Sequence, residues 1–346
     1  MKKKLTLFLI FLSSFAFITA CKKKKDEEPA TTPPVSTDIT YSAAYVVNGG
    51  SNSISVIDLS TNQVKRTISL SASWPHHLAI NSAKTKITIG VPGMDFSGGH
   101  SGMMGMPGKY IVLDAITGAI LKTITLPMMN HNCIFSPDGT EIWTAQMDSV
   151  GTVLVYDAST YTLKNTINVG KDPLEVTFSA DGSMAYVANS SSNTVTCITV
   201  STKMVMMSTA VGMEPIGAWT GSNNKMYVDN EAGQSITVVD VASMTIDETV
   251  SLGFMPGMVV YEGSMNELWV TDPNGGKIHY FQRMSGVWMN MGNIVCGAGP
   301  HAIAFKGMTA YVTNQLAGTV SVIDAMNKVK MQDIPVGVKP NGITIK

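Results

Sequence analysis

The sequence predicts an all-β protein, a seven-bladed β-propeller with four antiparallel strands per blade. Two observations lead there. A phrase of four apolar strands and their turns recurs along the chain, seven times in all. The two ends complement each other: the N-terminal unit lacks a first strand, and the chain ends on KPNGITIK, a first strand with nothing after it. The large residue closing each first strand marks the period: Ile80, Phe135, Phe178, Trp219, Tyr261, Phe305 and Ile345, at spacings of 55, 43, 41, 42, 44 and 40. The last five average 42, the length of one propeller blade. Pairing the last strand with the first three closes the ring and removes two exposed sheet edges.

Residues 1–20 read as a secretory signal. Three lysines precede an apolar run from Leu5 to about Phe17, followed by small residues, a pattern too short for a membrane span. Ile18-Thr19-Ala20-Cys21 resembles the lipobox of bacterial lipoproteins. That resemblance implies acylation of Cys21 and attachment to a membrane through the N-terminal lipid. The following KKKKDEEP is similar to the export signal that carries some lipoproteins of Bacteroidetes-type bacteria to the outer face of the outer membrane, implying a cell-envelope location with surface exposure. The Pro-rich ATTPPVST completes a polar linker over 21–39, and the propeller occupies 40–346.

Composition removes several function classes. The formal net charge is −1, so no basic footprint for nucleic acid exists. Arg66 and Arg283 are the only arginines, a poor supply for bidentate phosphate or carboxylate clamps. With Cys21 lipidated, Cys133, Cys197 and Cys296 remain, an odd number that implies no disulfide framework.

The blades carry recurring motifs. Tyr45-Val46-Val47-Asn48, Tyr186-Val187-Ala188-Asn189, Tyr227-Val228-Asp229-Asn230 and Tyr311-Val312-Thr313-Asn314 end second strands, and SPDG-like turns sit at 136–139 and 179–182. On these motifs residues 41–346 resemble the YVTN family of β-propeller repeats, related to surface-layer and YncE-like proteins. Blades two, three and six depart from the motif at Thr88-Ile89-Gly90, Trp143-Thr144-Ala145-Gln146 and Trp269-Val270-Thr271-Asp272. The tyrosines are expected to pack between blades. Asp58, Asp114, Asp157, Asp240 and Asp324 close third strands just before a turn, where a carboxylate accepts backbone N–H bonds.

The long first spacing places an insertion in blade two, between its second and third strands: PGMDFSGGHSGMMGMPG, residues 92–108. Strand alternation puts this loop on the face where the innermost strands begin. Four residues before each landmark stand His76, His131, Leu174, Pro215, Gly257, His301 and Asn341, with the alignment at Pro215 one residue uncertain. The histidines belong to blades two, three and seven, a contiguous arc with Asn341 of blade one. His77 adjoins them, and His100, Met94, Met103, Met104 and Met106 come from the insertion. Period-two alternation would turn Cys133 to the side of His131. Met128 and Met129 sit in a neighbouring loop, and Cys296 lies shortly before His301. Imidazoles, thioethers and thiols together suit copper, Cu(I) above all.

The histidine arc, with Pro75-His76-His77, resembles the propeller domain of nitrous oxide reductase, which implies copper at the channel mouth. Leu174, Pro215 and Gly257 break the full histidine set and no cupredoxin domain follows, so nitrous oxide reduction is not expected. Three functions remain: a non-catalytic module that binds a protein or small molecule through the channel-mouth face; a copper-binding protein using His76, His77, His100, Met103, Met104, Met106, His131 and His301; or a propeller enzyme such as a lactonase or cofactor-dependent oxidoreductase. Glu175, Glu214, Asp229, Glu231 and Asp272 lie near the loops and would supply the acids of such an enzyme, although scattered carboxylates in turns are expected to be solvated. No nucleophile–base motif, phosphate loop or haem-attachment motif occurs. His279, in a third strand, is expected to be structural.

Overall fold

A computed structural model describes residues 37–97 and 105–346. The signal segment, Cys21 and the linker up to residue 36 lie outside the described residues, as do His100, Met103 and Met104. Among the described residues, 28 strands form seven four-stranded antiparallel sheets. Each sheet runs in chain order from its first strand, and the exception is the one expected: the C-terminal strand Pro340–Ile345 pairs with Ala43–Asn48 and completes blade one. Blade two runs over 78–125, blade three over 134–168, blade four over 173–210, blade five over 215–251, blade six over 259–295 and blade seven over 300–335. Ile39 already belongs to the folded unit. It is fully buried, and its N–H donates to the Ile116 carbonyl at 2.7 Å.

Second and third strands are buried along nearly their whole length, whereas fourth strands are largely exposed. Apolar β-branched residues therefore fill the middle of each sheet, where both faces meet neighbouring blades. The cores lie between blades. Tyr186 packs with Ala218, Met226, Val228 and Val239 of blade five, and Tyr227 with Val259, Leu268 and Val270 of blade six. Each third-strand aspartate closes its turn as expected: the N–H groups of Ser60, Ile116, Ser159, Ser243 and Met326 donate to Asp58, Asp114, Asp157, Asp240 and Asp324 at 2.8–3.0 Å. All five carboxyls lie below the usual carboxylate range, held there chiefly by Lys225 for Asp240, by the Ser60 and Ser159 hydroxyls for Asp58 and Asp157, and by the backbone N–H groups of Thr117 and Asn327 for Asp114 and Asp324.

One landmark shifts. Thr220 pairs with Met226 as Phe178 pairs with Ala185, so Thr220 occupies the position assigned to Trp219. The mouth residue of blade five is accordingly Ile216, not Pro215.

Candidate metal centre

The innermost strands do not begin in regular register. In blade seven Pro300 pairs with Asn314 and Ile303 with Val312, so His301 and Ala302 together oppose Thr313. In blade four Leu174 and Glu175 together oppose Ala188, and in blade one Asn341 and Gly342 oppose Val47. Blade two shows the same device: the His76 N–H donates to the Gly90 carbonyl, and the Gly90 N–H donates to the His77 carbonyl, each at 2.9 Å. A β-bulge of this kind turns side chains that strict alternation would send elsewhere. It also lets two consecutive residues, His76 and His77, serve one site.

Four imidazoles converge. Ring centroids lie 4.3 Å apart for His76–His131, 4.6 Å for His76–His77, 4.8 Å for His77–His131, and 5.6 and 5.5 Å for His301 with His76 and His77. Close backbone approach makes this possible. A Cβ on Gly90 would sit 2.7 Å from the His131 carbonyl oxygen, and one on Gly342 would sit 3.0 Å from the His77 Cα. Gly90 is one of the departures from the repeat motif; it gives His131 its place.

Glu175 completes the group. His131 Nδ1 lies 2.8 Å from Glu175 Oε1, and His77 Nε2 lies 3.6 Å from the same oxygen. Glu175 Oε2 is buried without a hydrogen-bond partner among the described residues. Burial, and then the nearby Asp229 carboxyl, push the Glu175 pKa well up. His131 and Glu175 are each 1% exposed. Such burial favours the neutral carboxyl with one proton between the two atoms over a fully separated ion pair. Asp229, also raised by burial, accepts the Trp219 Nε1–H at 2.8 Å.

The donor atoms fall into two overlapping triads, His76–His77–His301 and His77–His131–Glu175, each with its atoms within 4.8 Å of one another. Two imidazolium charges 4.3 Å apart repel by about 4 kcal/mol at an effective dielectric of 20. That repulsion disfavours a proton on every ring at once, and a neutral imidazole offers one ring nitrogen to a metal. Three imidazoles around one point, with a carboxylate–histidine pair beside them, is a donor set suited to a divalent transition metal.

The surroundings are dry on one side. Phe96, from the first leg of the insertion, stacks on His131 at 5.8 Å and 12° and meets His76 edge-on at 5.3 Å. Phe96 packs in one cluster with Met129, Met147, Leu174 and Ile216, with Met94 against it. Lys339 holds that leg down: its Nζ pairs with Asp95, donates to Ser97 Oγ at 2.7 Å, and lies 5.6 Å from the Trp74 ring centroid.

Several sequence expectations are corrected. Cys133 does not join His131, because residues 131–133 precede the first strand of blade three, Ile134–Phe135, and strand alternation does not apply to them. Cys133 packs instead with Tyr110, Val112 and Phe135, and Cys296 with Trp269 and Ile278. Burial raises both thiols, so no thiolate reaches the imidazoles. Met106 is 47% exposed. Glu175, Asp229 and Asp272 are buried, not solvated. His279 stacks on Phe254 at 4.5 Å and lies 3.6 Å from Asp272 Oδ2, the structural role expected of it. Sequence reasoning missed Phe96, and it offered Glu175 as a loop acid for an enzyme without placing it among the histidines. Glu175 had a signal: it stands three residues before its landmark, as His77 does.

Solved structures of the same architecture are numerous. The chain is similar to the periplasmic gluconolactonase of Pseudomonas aeruginosa, with a TM-score of 0.68 and 17% identity over 88% of this chain and 98% of that one. A putative 6-phosphogluconolactonase from Bacteroides uniformis gives 0.70 and 13% over 88% and 99%. Hydrazine synthase from Kuenenia stuttgartiensis gives 0.63 and 16% over 79% and 95%. Identities this low establish the propeller fold alone. No family model and no curated protein matches the sequence.

Proposed function

We propose that this protein is a cell-envelope β-propeller, anchored by lipid at Cys21, that binds one divalent transition-metal ion at its channel mouth. The observation that carries this reading is the convergence of His76, His77, His131 and His301 with the buried carboxyl of Glu175. Among the described residues the converging donors are nitrogen and oxygen, a set that favours Cu(II) or Zn(II). Three imidazoles leave a coordination position for an exogenous ligand, and the Glu175–His131 pair fixes ring orientation beside it.

The test is metal titration. Chelator-treated protein takes up one equivalent of Cu(II) or Zn(II), read by calorimetry and elemental analysis after gel filtration. His77→Ala, which touches both triads, loses retention. Parent-like retention by His77→Ala and by a His76→Ala/His301→Ala double variant would overturn the reading.

A catalytic reading has one observation in its favour. The gluconolactonase and the putative 6-phosphogluconolactonase share the architecture, and an open coordination position beside a buried acid suits activation of water on an ester carbonyl. Metal-dependent hydrolysis of gluconolactone, abolished in His77→Ala, would move the protein from binding module to enzyme. Equal rates with and without metal would remove that option.

A further inference from the structure

A second site lies away from the imidazoles. A cavity of about 480 Å³ opens between blades four and five. Five sulfur-bearing side chains line it: Met184, Cys197, Met206 and Met207 of blade four and Met244 of blade five. The strand register explains how one blade supplies four of them. Cys197 pairs with Met207 and Ile198 with Val205, so Met206 is the extra residue of a β-bulge. Strict alternation would send Met206 and Met207 to opposite faces. The bulge breaks it, and both reach the cavity. Cross-strand partners such as Cys197 and Met207 stand about 5 Å apart at Cβ, which brings their sulfurs to one patch of wall.

The other blades do not carry this sulfur. Five of them place valine at the Cys197 position, opposite a polar residue, as Val56 opposite Arg66 and Val322 opposite Gln332; blade six places Tyr280 opposite Gly292. The joint between blades has changed in the same way. Glu141 and Glu267 begin the second strands of blades three and six, and each pairs with a lysine of the next blade, Lys203 or Lys328. Met184 begins the second strand of blade four. Met244 donates its N–H to Asp240, the last residue of its third strand, as Lys203 does to Thr199. A methionine pair thus stands where two other joints hold an ion pair.

Packing alone does not account for the change. Methionine used as filler closes a gap, whereas Met206 and Met207 are 61% and 45% exposed beside an open cavity. Soft sulfur donors select Cu(I), and among the described residues no imidazole lines the cavity to favour a harder divalent ion. Asp181, exposed in the lining, is held below the usual carboxylate range chiefly by the Ser179 hydroxyl and the Ser183 N–H. Its charge draws cations. Burial pushes the Cys197 thiol up to about 11. Its proton leaves to solvent as the sulfur–metal bond forms, a cost that the thioethers do not share.

We propose that this cavity is a second metal site, which binds one soft monovalent ion, Cu(I), through the Cys197 sulfur and the methionine thioethers around it. The site is independent of the channel mouth, and its failure leaves the imidazole reading untouched.

The probe is Ag(I), a stand-in for Cu(I) that air does not oxidise. Protein carrying ¹³C-methyl methionine is titrated with it and followed by NMR. At stoichiometric Ag(I) the methyl signals of Met184, Met206, Met207 and Met244 shift. Those of Met289 and Met331, equally exposed on the fourth strands of blades six and seven, stay put. Cys197→Val and Met207→Gln install residues that other blades carry at these positions, so the fold survives, and each variant loses the shifts. Parent-like shifts in both variants, an equal response of Met289 and Met331, or no shift in the parent overturns the proposal. So does 2-ethylnaphthalene, a neutral probe, moving the same signals where Ag(I) does not, which would assign the pocket to an apolar ligand.

Discussion

His131 Nδ1 and Glu175 Oε1 meet at 2.8 Å although 44 residues separate them in sequence and they rise from neighbouring blades. Both are buried. The pair joins two effects that a single substitution can pull apart: a cost to the metal-free fold and a contribution to metal binding.

Glu175→Gln keeps the shape and an oxygen acceptor for His131 but removes the ionisable group. Glu175 holds its proton to higher pH in the folded protein than in the unfolded chain. Above the unfolded value of about 4.3, folding must therefore keep a proton that the unfolded chain releases, and stability falls as pH rises. The amide removes that penalty. The variant melts higher than the parent without metal, more so at pH 8 than at pH 5, yet binds Cu(II) or Zn(II) about ten- to a hundredfold more weakly. Paired thermal melts and titrations check both signs, and a lower metal-free melting temperature at pH 8 would sink the argument.

Asp229→Asn probes the same pH dependence from outside the proposed ligands, and also relieves the push that Asp229 exerts on Glu175. Asp229 is raised by burial, with hydrogen bonds from Trp219 and the backbone opposing. Its share of stability is largest near pH 4 and declines by about 1.4 kcal/mol per pH unit until the folded group titrates. The turn aspartates act in the other direction. Their folded pKa values are depressed, so their contribution is present above about pH 4 and is lost as pH falls further. The parent should therefore be most stable in mildly acidic solution. Asparagine, which still accepts from Trp219, flattens the decline at higher pH. Urea titrations from pH 5 to 9 measure it; parallel curves for parent and variant would rule the effect out.

The ring and its histidine arc were legible in the sequence because repeat spacing and strand direction are global properties. Counting back from Ile80, Phe135 and Phe305 brings His76, His131 and His301 to one rim, and no side-chain detail is needed. The finer assignments failed where a bulge replaces simple alternation. Period-two reasoning moved Cys133 beside His131, whereas the irregular segment 131–133 turns the thiol into the core between blades. The same irregularity hid the place of Glu175 beside the histidines, because Glu175 shares the bulge of blade four with Leu174. Burial was invisible for a different reason: Asp229 sits in a YVxN motif where other blades carry valine, alanine or threonine, so local pattern alone does not say whether that position meets water.

Ring closure gives a third expectation. The final strand pairs Ala44, Tyr45 and Val46 with Ile345, Thr344 and Ile343, and Asn341 Oδ1 accepts from Gln315 Nε2 at 2.7 Å. Deleting 340–346 leaves blade one with three strands and opens the inner edge of Ala43–Asn48. A loss of about 4 kcal/mol, or roughly 6 °C in melting temperature, is expected. Because the missing element is one self-contained strand, the peptide KPNGITIK added in trans restores part of the loss in a concentration-dependent way. A truncated protein that melts with the parent would show that closure contributes nothing.

The fourth prediction concerns the joints between blades. Glu267, at the start of the second strand of blade six, is almost wholly buried. It receives Trp269 Nε1–H at 2.9 Å and pairs with Lys328 Nζ of blade seven at 2.7 Å, while Lys328 lies 5.2 Å from the Trp269 ring centroid. Blade three repeats the device, with Glu141, Trp143 and Lys203 at 3.0, 2.7 and 5.1 Å. A buried ion pair tolerates joint replacement far better than loss of one partner. Lys328→Met leaves the Glu267 carboxylate without its cation and should cost about 3 kcal/mol, whereas Lys328→Met with Glu267→Gln, which keeps an acceptor for the indole, should return most of that loss. Denaturant unfolding of the parent, both single variants and the double variant measures the coupling. Additive losses would mean that the lysine acts only by packing its stem over Trp269, and that the charge pair is incidental to how the blades are joined.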